Sequence, residues 1–136
     1  MNGPAYWGIA GYPISHSLTP RLFEIVGAEL ELKAQSVYLE ADSMDEFEAN
    51  LENLQGDIWL SCTAPLKHSP QARLAVSGPE GVNAINQLKR TNGVWSGIST
   101  DGVGFVAACR HIGVEPNGSI LRMRGGGSTA RAIAAA

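Results

Sequence analysis

Three short apolar segments, separated by two segments of helical periodicity, constrain the fold of this chain more than any other feature. The apolar segments span 5–10, 35–39 and 57–60, and the helical segments between them begin near Thr19 and Ser43. Strands that alternate with helices in this way are typical of α/β proteins, in which each helix returns the chain to the same end of the sheet. The sequence therefore predicts a βαβαβ core: an open, mostly parallel sheet with helices on both faces.

Helix-capping residues support these boundaries. Thr19 is predicted to cap the first helix, because Pro20 then occupies the first helical position, where no hydrogen-bond donor is lost. Ser43 and Glu46 have the spacing of a capping box, in which each side chain accepts a hydrogen bond from the other residue's backbone N–H. The helix that they open is predicted to end near Gly56.

A β-hairpin is predicted after the parallel core. Asn92-Gly93 is the strongest short signal for a two-residue hairpin turn, and it separates the segments 84–90 and 94–99. The hairpin adds an antiparallel edge to the sheet. Two further helices are predicted, one from Ser69-Pro70 and one from Asp101 to Ile112.

The composition is typical of a single globular domain that does not bind nucleic acid. The chain has 136 residues, of which 17% are charged, and its net charge of -3 comes without any cluster of lysine or arginine. No apolar run reaches the length of a membrane span, and the N-terminus lacks the basic flank and apolar core of a signal peptide. We therefore expect neither a nucleic-acid partner nor membrane association.

The cysteines and histidines do not form a recognisable site. Cys62 and Cys109 lack CxxC spacing, so they are interpreted as reduced, small apolar residues of a cytoplasmic protein. His16, His68 and His111 lie far apart along the chain and have no metal-ligand spacing. We therefore expect no metal.

Lys67 is the first cation after the third apolar segment. Pro65 ends the sheet ladder because it has no N–H, so the chain leaves the sheet at its carboxyl edge, where open α/β sheets bind their ligands. A lysine at this point is placed to meet a small molecule. Taken alone, it is explained more simply as a solvated cation at the start of a helix.

A glycine-rich turn lies near the end of the chain. Residues 125–131 follow the segment 119–124 as a degenerate GxGxxA pattern, with Gly125 for the turn, Gly127 for close backbone approach and Ala130 for helix packing. A flexible tail explains the same residues nearly as well. The helix predicted over 130–136 is short and has no cap, so we expect that the chain is cut off there.

Five motifs taken together resemble the shikimate dehydrogenases and their quinate/shikimate relatives. They are GYPISHSLTP (11–20), TAPLK (63–67), NAIN (83–86), STDGVGF (99–105) and GGGSTAR (125–131). Taken in order, the motifs extend over nearly the whole chain. The resemblance implies a substrate-binding (catalytic) domain over 1–112 and the truncated beginning of a Rossmann-type NAD(P) domain over 113–136.

The resemblance also implies an activity. Enzymes of this family catalyse the reversible NADP-dependent reduction of 3-dehydroshikimate to shikimate, in the biosynthesis of chorismate and the aromatic amino acids. Shikimate, 3-dehydroshikimate or quinate would be the small-molecule ligand, and NAD is an alternative to NADP. Because the cofactor domain would be truncated, we expect this chain alone to be inactive and not to bind the cofactor.

The family's residue roles transfer to matching positions. Lys67 and Asp101 would form the catalytic pair at the reacting alcohol. Substrate would be bound by Ser17, Thr19, Ser61, Thr63 and Asn86, and the cofactor by Gly125, Gly126, Gly127, Ser128 and Arg131. Oxidising an alcohol by hydride transfer needs a group that accepts the hydroxyl proton, and a lysine serves when burial lowers its pKa. The neighbouring carboxylate opposes that shift and fixes the position of the lysine.

Simpler structural roles remain open for several of these residues. Asp101 before an apolar helix is typical of an N-cap. Ser17 and Thr19 are ordinary turn and cap residues, and Asn86 suits a solvent-facing position in an edge strand. Two alternatives to an enzyme also stay open: a non-catalytic module that binds a polyhydroxy acid, and a flavodoxin-like domain without such a ligand.

Several positions depart from the family pattern and favour a relative with altered substrate preference. Ser61 and Ser99 stand where the family has asparagine. Gln87 stands where threonine is usual, and Thr19 replaces serine, as in quinate-using members. In the glycine turn, Ser128 replaces a glycine.

Two arginines conflict with a Rossmann strand at the end of the chain. Arg122 and Arg124 lie on one face of the segment 119–124, which the resemblance assigns to a buried central strand. Charges buried there without partners would be costly. We therefore predict that residues from about 119 onward do not form a dinucleotide-binding fold. They would be a mobile tail, or would pack against another copy of the chain that covers the exposed strand edge.

Overall fold

The computed structural model describes residues 3–68, 73–76, 78 and 82–136. Its strands are β1 (Tyr6–Gly11), β2 (Gln35–Glu40), β3 (Ile58–Cys62), β4 (Gln87–Thr91) and β5 (Val94–Ile98), and the helices of the described residues are α1 (Thr19–Glu29), α2 (Met44–Leu51), α3 (Asp101–His111) and α4 (Ser128–Ala134). The start of the helix predicted from Ser69-Pro70 lies outside the described residues.

The strands form one sheet in the order β2-β1-β3-β4-β5. β1 pairs in parallel with both β2 and β3, whereas β4 is antiparallel to β3 and to β5. Four of the five strands therefore run in one direction, which confirms the predicted open, mostly parallel α/β sheet with an antiparallel hairpin. The arrangement brings the carboxyl ends of β1, β3 and β5 to the same edge as the beginning of β4.

Helices cover both faces of the sheet. Phe47 of α2 is fully buried on one face, in a cluster that includes Ile58 and Leu60 of β3. On the opposite face the ring of Trp7 stacks on Phe23 of α1, with 5.5 Å between ring centroids. A Cβ at position 27 would collide with the Trp7 ring, so α1 approaches the sheet this closely only because that residue is glycine.

The first helix begins one residue earlier than predicted, and its cap differs from the prediction. Thr19 is the first residue of α1 rather than its N-cap; the N-cap is Leu18, which makes no side-chain capping bond. The Ser17 hydroxyl oxygen accepts a hydrogen bond from the Thr19 backbone N–H at 3.2 Å. The Thr19 N–H, an orphan donor of the helix start, is therefore served by Ser17, two residues upstream, and not by a side chain at the predicted cap.

The capping box at the start of α2 forms with one change. Ser43 Oγ accepts from the Glu46 backbone N–H at 3.4 Å, as predicted. Glu46 Oε2 accepts from the backbone N–H of Asp42 rather than from that of Ser43, at 2.9 Å. One orphan N–H of the helix, that of Glu46, is therefore satisfied, and so is the N–H of Asp42 just before the helix.

The predicted hairpin joins β4 to β5. Asn92 and Gly93 both have positive φ, 50° and 79°, as a two-residue turn of this kind requires. β4 begins at Gln87, three residues later than predicted, because the preceding backbone bonds elsewhere: Ile85 N–H donates to the Lys67 carbonyl at 2.8 Å.

The C-terminal segment differs from the Rossmann start that the resemblance implied. Residues 112–127 contain no strand, although all of them are described. Arg122 and Arg124 are exposed, so their charges stay in water. These residues therefore offer no exposed strand edge of the kind proposed for a homo-oligomer, and oligomerisation itself stays a prediction.

The expectation of a mobile tail is wrong for α4, which packs on α3 of the same chain, whereas packing on another copy stays a prediction. α4 begins at Ser128, two residues before the predicted helix. Ala132 of α4 is buried with Val82 and Ala84, and a Cβ at Gly102 of α3 would collide with the Ala132 carbonyl oxygen. None of the helices in the described part of the chain is long and apolar enough to cross a membrane.

Candidate active site

Three predicted site residues meet at the carboxyl edge of the sheet. Lys67 lies on the loop after β3, Asn86 immediately precedes β4, and Asp101 begins α3 shortly after β5. Backbone hydrogen bonds hold Asn86 between the ends of β3 and β5. Asn86 O accepts from Cys62 N–H at 2.7 Å, and Asn86 N–H donates to Ile98 O at 3.1 Å. The open end of the hairpin therefore holds Asn86 and the residues that follow β5 beside the Lys67 loop.

Lys67 and Asp101 form an ion pair. Lys67 Nζ donates to Asp101 Oδ2 at 2.8 Å, and each side chain is only 18% exposed. Burial raises the pKa of Asp101, but the opposing effects are larger in sum, namely hydrogen bonds from Lys67, Thr129 and Asn86 and the positive charge of Lys67. The pKa of this carboxyl is held below its ordinary value, so it is a carboxylate at neutral pH.

Asn86 holds the other oxygen of this carboxylate. Asn86 is buried, and its Nδ2 donates to Asp101 Oδ1 at 2.6 Å and to Thr100 Oγ1 at 3.0 Å. Its Oδ1 accepts from the Thr100 backbone N–H at 2.8 Å. The solvent-facing alternative for Asn86 is therefore wrong, and its buried amide is the central member of a partly buried hydrogen-bond network.

Asp101 is not an N-cap. The residue that flanks α3 is Thr100, and no side chain caps this helix. The carboxylate that was open to a capping role is instead used by Lys67 and Asn86. Because Asp101 lies in the first turn of α3, its negative charge also interacts favourably with the helix dipole.

The predicted substrate-binding hydroxyls of Ser17, Thr19 and Thr63 lie on the neighbouring segments that follow β1 and β3, at the same edge. Tyr12 N–H donates to Ala64 O and Thr63 N–H donates to Ala10 O, each at 2.9 Å, so the loops after β1 and β3 are held together. Ser17, Thr19 and Thr63 are all half-buried. Within the part of the chain that the structure describes, no hydrogen bond links these three side chains to the ion pair.

Ser61 is paired with Gln87 across the two adjacent strands. The residues are in register between β3 and β4, and Gln87 Nε2 donates to Ser61 Oγ at 3.3 Å. Both positions depart from the family pattern, and the structure shows that they are direct neighbours.

The glycine turn leads directly into α4. Gly125 has a φ of +109°, which favours glycine, and Gly127 is the N-cap of α4. A Cβ at any position from 125 to 127 would meet no atom within 4 Å, so the backbone of the turn is open on that side. Ser128 is half-buried and Arg131 is exposed. These residues fit a diphosphate group, which favours an open backbone and a positively charged side chain.

One contact in this region was not foreseen from the sequence. Thr129 Oγ1 donates to Asp101 Oδ2 at 2.7 Å. In the sequence, Thr129 is only a member of the glycine pattern, and nothing in the spacing of 28 residues between Thr129 and Asp101 indicates the contact. It arises because α4 packs on α3.

The cysteines and histidines do not add to the site. Burial raises the pKa of the Cys62 thiol to about 12, and the charge of Lys67 offsets this only in part, so the thiol is neutral at physiological pH. The interpretation of Cys62 as a small buried residue is therefore confirmed. Over the described ranges, no group of three or more His, Cys, Asp or Glu side chains is placed to hold a metal ion.

Curated relatives share this chain's sequence over nearly its whole length, although no family model matches it. The NADP(+) shikimate dehydrogenase of Rubrobacter xylanophilus is 33% identical over 134 residues, which are 95% of this chain and 47% of that protein. The enzyme of the same name from Xylella fastidiosa is 33% identical over 142 residues, covering 96% of this chain and 48% of the relative. The chain therefore spans about half the length of the relatives it matches.

Solved structures share the fold. Shikimate dehydrogenase 1 from Peptoclostridium difficile superimposes with a TM-score of 0.80 over 99% of this chain and 50% of that one, at 18% identity. The Thermus thermophilus shikimate 5-dehydrogenase in complex with NADP(H) and shikimate gives a TM-score of 0.73 over 95% of this chain and 50% of that one, at 22% identity. These findings confirm the resemblance predicted from the five motifs: over nearly its whole length, this chain is similar in sequence and in fold to about half of a shikimate dehydrogenase.

Proposed function

We propose that this chain carries the substrate-binding and proton-transfer part of a shikimate-dehydrogenase-type enzyme. The reaction would be the reversible NADP-dependent reduction of 3-dehydroshikimate to shikimate, in the cytoplasm, as a step of aromatic amino-acid biosynthesis. The observation that carries the proposal is the Lys67–Asp101 ion pair. It lies at the carboxyl edge of the sheet, where α/β proteins bind ligands, and its carboxylate is further fixed by Asn86.

Lys67 is the group proposed to move the proton. In the reducing direction its ammonium donates a proton to the oxygen of the substrate carbonyl as that oxygen becomes a hydroxyl, and in the oxidising direction the neutral amine takes the proton back. A nicotinamide cofactor, when bound, supplies or accepts the hydride. Asp101 is proposed to keep the ammonium at one position, since its Oδ2 lies 2.8 Å from Nζ.

The substrate is proposed to lie between the Lys67 loop and the loop after β1. The hydroxyls of Ser17 and Thr19 would donate to its carboxylate, and Thr63, Ser61 and Asn86 would face the ring hydroxyls. Each Nδ2 hydrogen of Asn86 already has a partner within the chain. A ring hydroxyl that accepts from Asn86 Nδ2 would therefore share or replace Thr100 or Asp101 as that partner.

The glycine turn is proposed to contact the cofactor diphosphate through 125–127, Ser128 and Arg131. The described residues offer this turn without a strand in front of it, so the rest of the nucleotide has little to bind. We therefore propose that the chain alone binds NADP weakly or not at all and has no turnover. The same observation favours a second candidate, a module that binds a polyhydroxy acid without catalysis.

Calorimetric titration of the chain with shikimate, quinate and NADP tests this proposal. Binding of shikimate or quinate that is weakened in Ser17→Ala supports the substrate site, and Ser119→Ala, an exposed position on the C-terminal segment, is the matched control. If neither acid binds at millimolar concentration, the proposed function is wrong. NADP affinity in the micromolar range, or shikimate oxidation by the chain with millimolar NADP, would show that the glycine turn is a sufficient cofactor site.

A further inference from the structure

We infer that Thr129 is a positioning residue, which holds Asp101 Oδ2 in place for Lys67 and so joins the glycine turn to the proton-transfer pair. This inference rests on the proposed function, because positioning has a purpose only if the ion pair is catalytic. The five motifs assign no role to Thr129.

The hydrogen bonds of Asp101 show what Thr129 contributes. Oδ1 accepts from Asn86 Nδ2 at 2.6 Å, and Oδ2 accepts from Lys67 Nζ at 2.8 Å and from Thr129 Oγ1 at 2.7 Å. The lysine ammonium is flexible and must be free to transfer a proton. Thr129, an exposed residue, is therefore the neutral donor to Oδ2, and the buried Asn86 is the neutral donor to Oδ1.

Packing of α4 on α3 explains why this contact persists. Gly102 directly follows Asp101, and its missing side chain lets the Ala132 carbonyl lie against the α3 backbone. Ala132 is buried, together with Val82 and Ala84. Thr129 lies one helical turn before Ala132. The packing of α4 on α3 therefore brings the Thr129 hydroxyl to the Asp101 carboxylate.

Because of its position in the chain, Thr129 connects the glycine turn with Asp101. Thr129 lies two residues after Gly127, the N-cap of α4. A ligand that shifts the glycine turn moves the Thr129 hydroxyl and changes the hydrogen bonding of Asp101. The Thr129 side chain is therefore one link between the glycine turn and the ion pair, beside the packing of α4 on α3.

The charges around Asp101 make its titration a clean measurement. Lys67 is the charged group that acts on this carboxylate from the β3 loop. α4 carries one charged residue, Arg131, which forms no ion pair with Asp101, and Arg110 at the other end of α3 pairs with Glu115. A change at Thr129 therefore alters one hydrogen bond to Asp101 and no charge.

The test is the pKa of the Asp101 carboxyl, followed by ¹³C NMR in the complete chain. Removing a donor to the carboxylate favours its protonated form, so Thr129→Val is expected to raise this pKa by about half a unit or more. Thr129→Ser keeps the hydroxyl and is expected to restore the wild-type value. Ala132 chemical shifts report whether α4 stays packed in each variant.

A second variant separates the hydroxyl from the packing. Gly102→Ala displaces α4 while keeping the Thr129 hydroxyl, so it is expected to raise the Asp101 pKa as Thr129→Val does. The double variant is expected to add nothing further. An unchanged Asp101 pKa in Thr129→Val with α4 still packed overturns the inference. So does a Thr129→Ser variant that behaves like valine. Neither measurement uses turnover, so a chain that fails to bind shikimate but shows these shifts would refute the proposed function and leave the contact itself established.

Discussion

Lys67 Nζ and Asp101 Oδ2 lie 2.8 Å apart although 34 residues separate them in the chain. They meet because Lys67 follows the end of β3 and Asp101 follows the end of β5, and both strands end at the same edge of the sheet. Both side chains are 18% exposed, so the pair is shielded without being sealed from a ligand. This relationship is the basis of the proposed chemistry.

The ion pair predicts a pH dependence of stability. The pKa of Asp101 is lowered in the folded chain, so its carboxylate stabilises the fold above its ordinary pKa, and this contribution is lost as the pH falls through the folded value. We expect the wild type to be more stable than Asp101→Asn at pH 7 and the difference to shrink below about pH 4. Urea unfolding at pH 7, 4 and 3 measures it. A difference that stays constant over this range would contradict the assignment.

The buried amide network predicts a large effect at position 86. Asn86→Ala leaves the Thr100 backbone N–H and Asp101 Oδ1 without their partner, which costs about 1–3 kcal/mol of unfolding free energy. Asn117→Ala is the matched control, because Asn117 is exposed and a change there stays within about 0.5 kcal/mol. If urea unfolding shows equal losses of unfolding free energy for the two variants, the hydrogen bonds of Asn86 do not stabilise the fold as described.

The close approach of α1 to the sheet predicts opposite results for two glycines. Gly27→Ala forces a methyl group into the Trp7 ring and is expected to cost about 1–3 kcal/mol. Gly104→Ala on α3 meets no atom within 4 Å, and it is expected to stabilise by up to about 1 kcal/mol through helix propensity. Thermal unfolding of both variants measures this. Similar melting temperatures would mean that α1 does not lie against Trp7 as described.

The neighbouring departures at positions 61 and 87 predict a change in ligand preference. Gln87 Nε2 donates to Ser61 Oγ, so the two residues are expected to act on the substrate as a unit. Ser61→Asn with Gln87→Thr restores the family's usual pair and should raise affinity for shikimate relative to quinate, whereas each single variant should do less. Calorimetry with both acids gives the ratio. A ratio unchanged in the double variant would exclude these positions as determinants of preference.

Local signals in the sequence were sufficient for much of the fold. The hairpin followed from Asn92-Gly93, whose backbone must adopt positive φ, and the start of α2 followed from the Ser43 capping box. Contacts between distant segments were not predictable in this way. The late start of β4 depends on where the Ile85 N–H finds an acceptor, and that is decided by the Lys67 loop.

In the C-terminal segment too, local sequence signals did not predict a contact between distant parts of the chain. The charges of Arg122 and Arg124 indicated correctly that a buried strand is unfavourable, yet they gave no sign that α4 would pack on α3. That packing depends on Gly102, whose role is visible only beside Ala132. The Thr129–Asp101 hydrogen bond follows from it, so a local pattern did not reveal this member of the site.

The central claim is that Lys67 transfers the proton, and turnover in a chimera tests it most directly. The chain would replace the matching part of the Rubrobacter xylanophilus enzyme, and shikimate oxidation would be measured for Lys67→Ala, Ser17→Ala and the exposed control Lys33→Ala. We predict that Lys67→Ala lowers kcat by about 10²–10⁴-fold with little change in KM, because proton transfer contributes mainly in the transition state. Ser17→Ala should chiefly raise KM, and Lys33→Ala should change neither. An active chimera in which Lys67→Ala retains its kcat, or in which all three variants have equal small effects, would contradict the account.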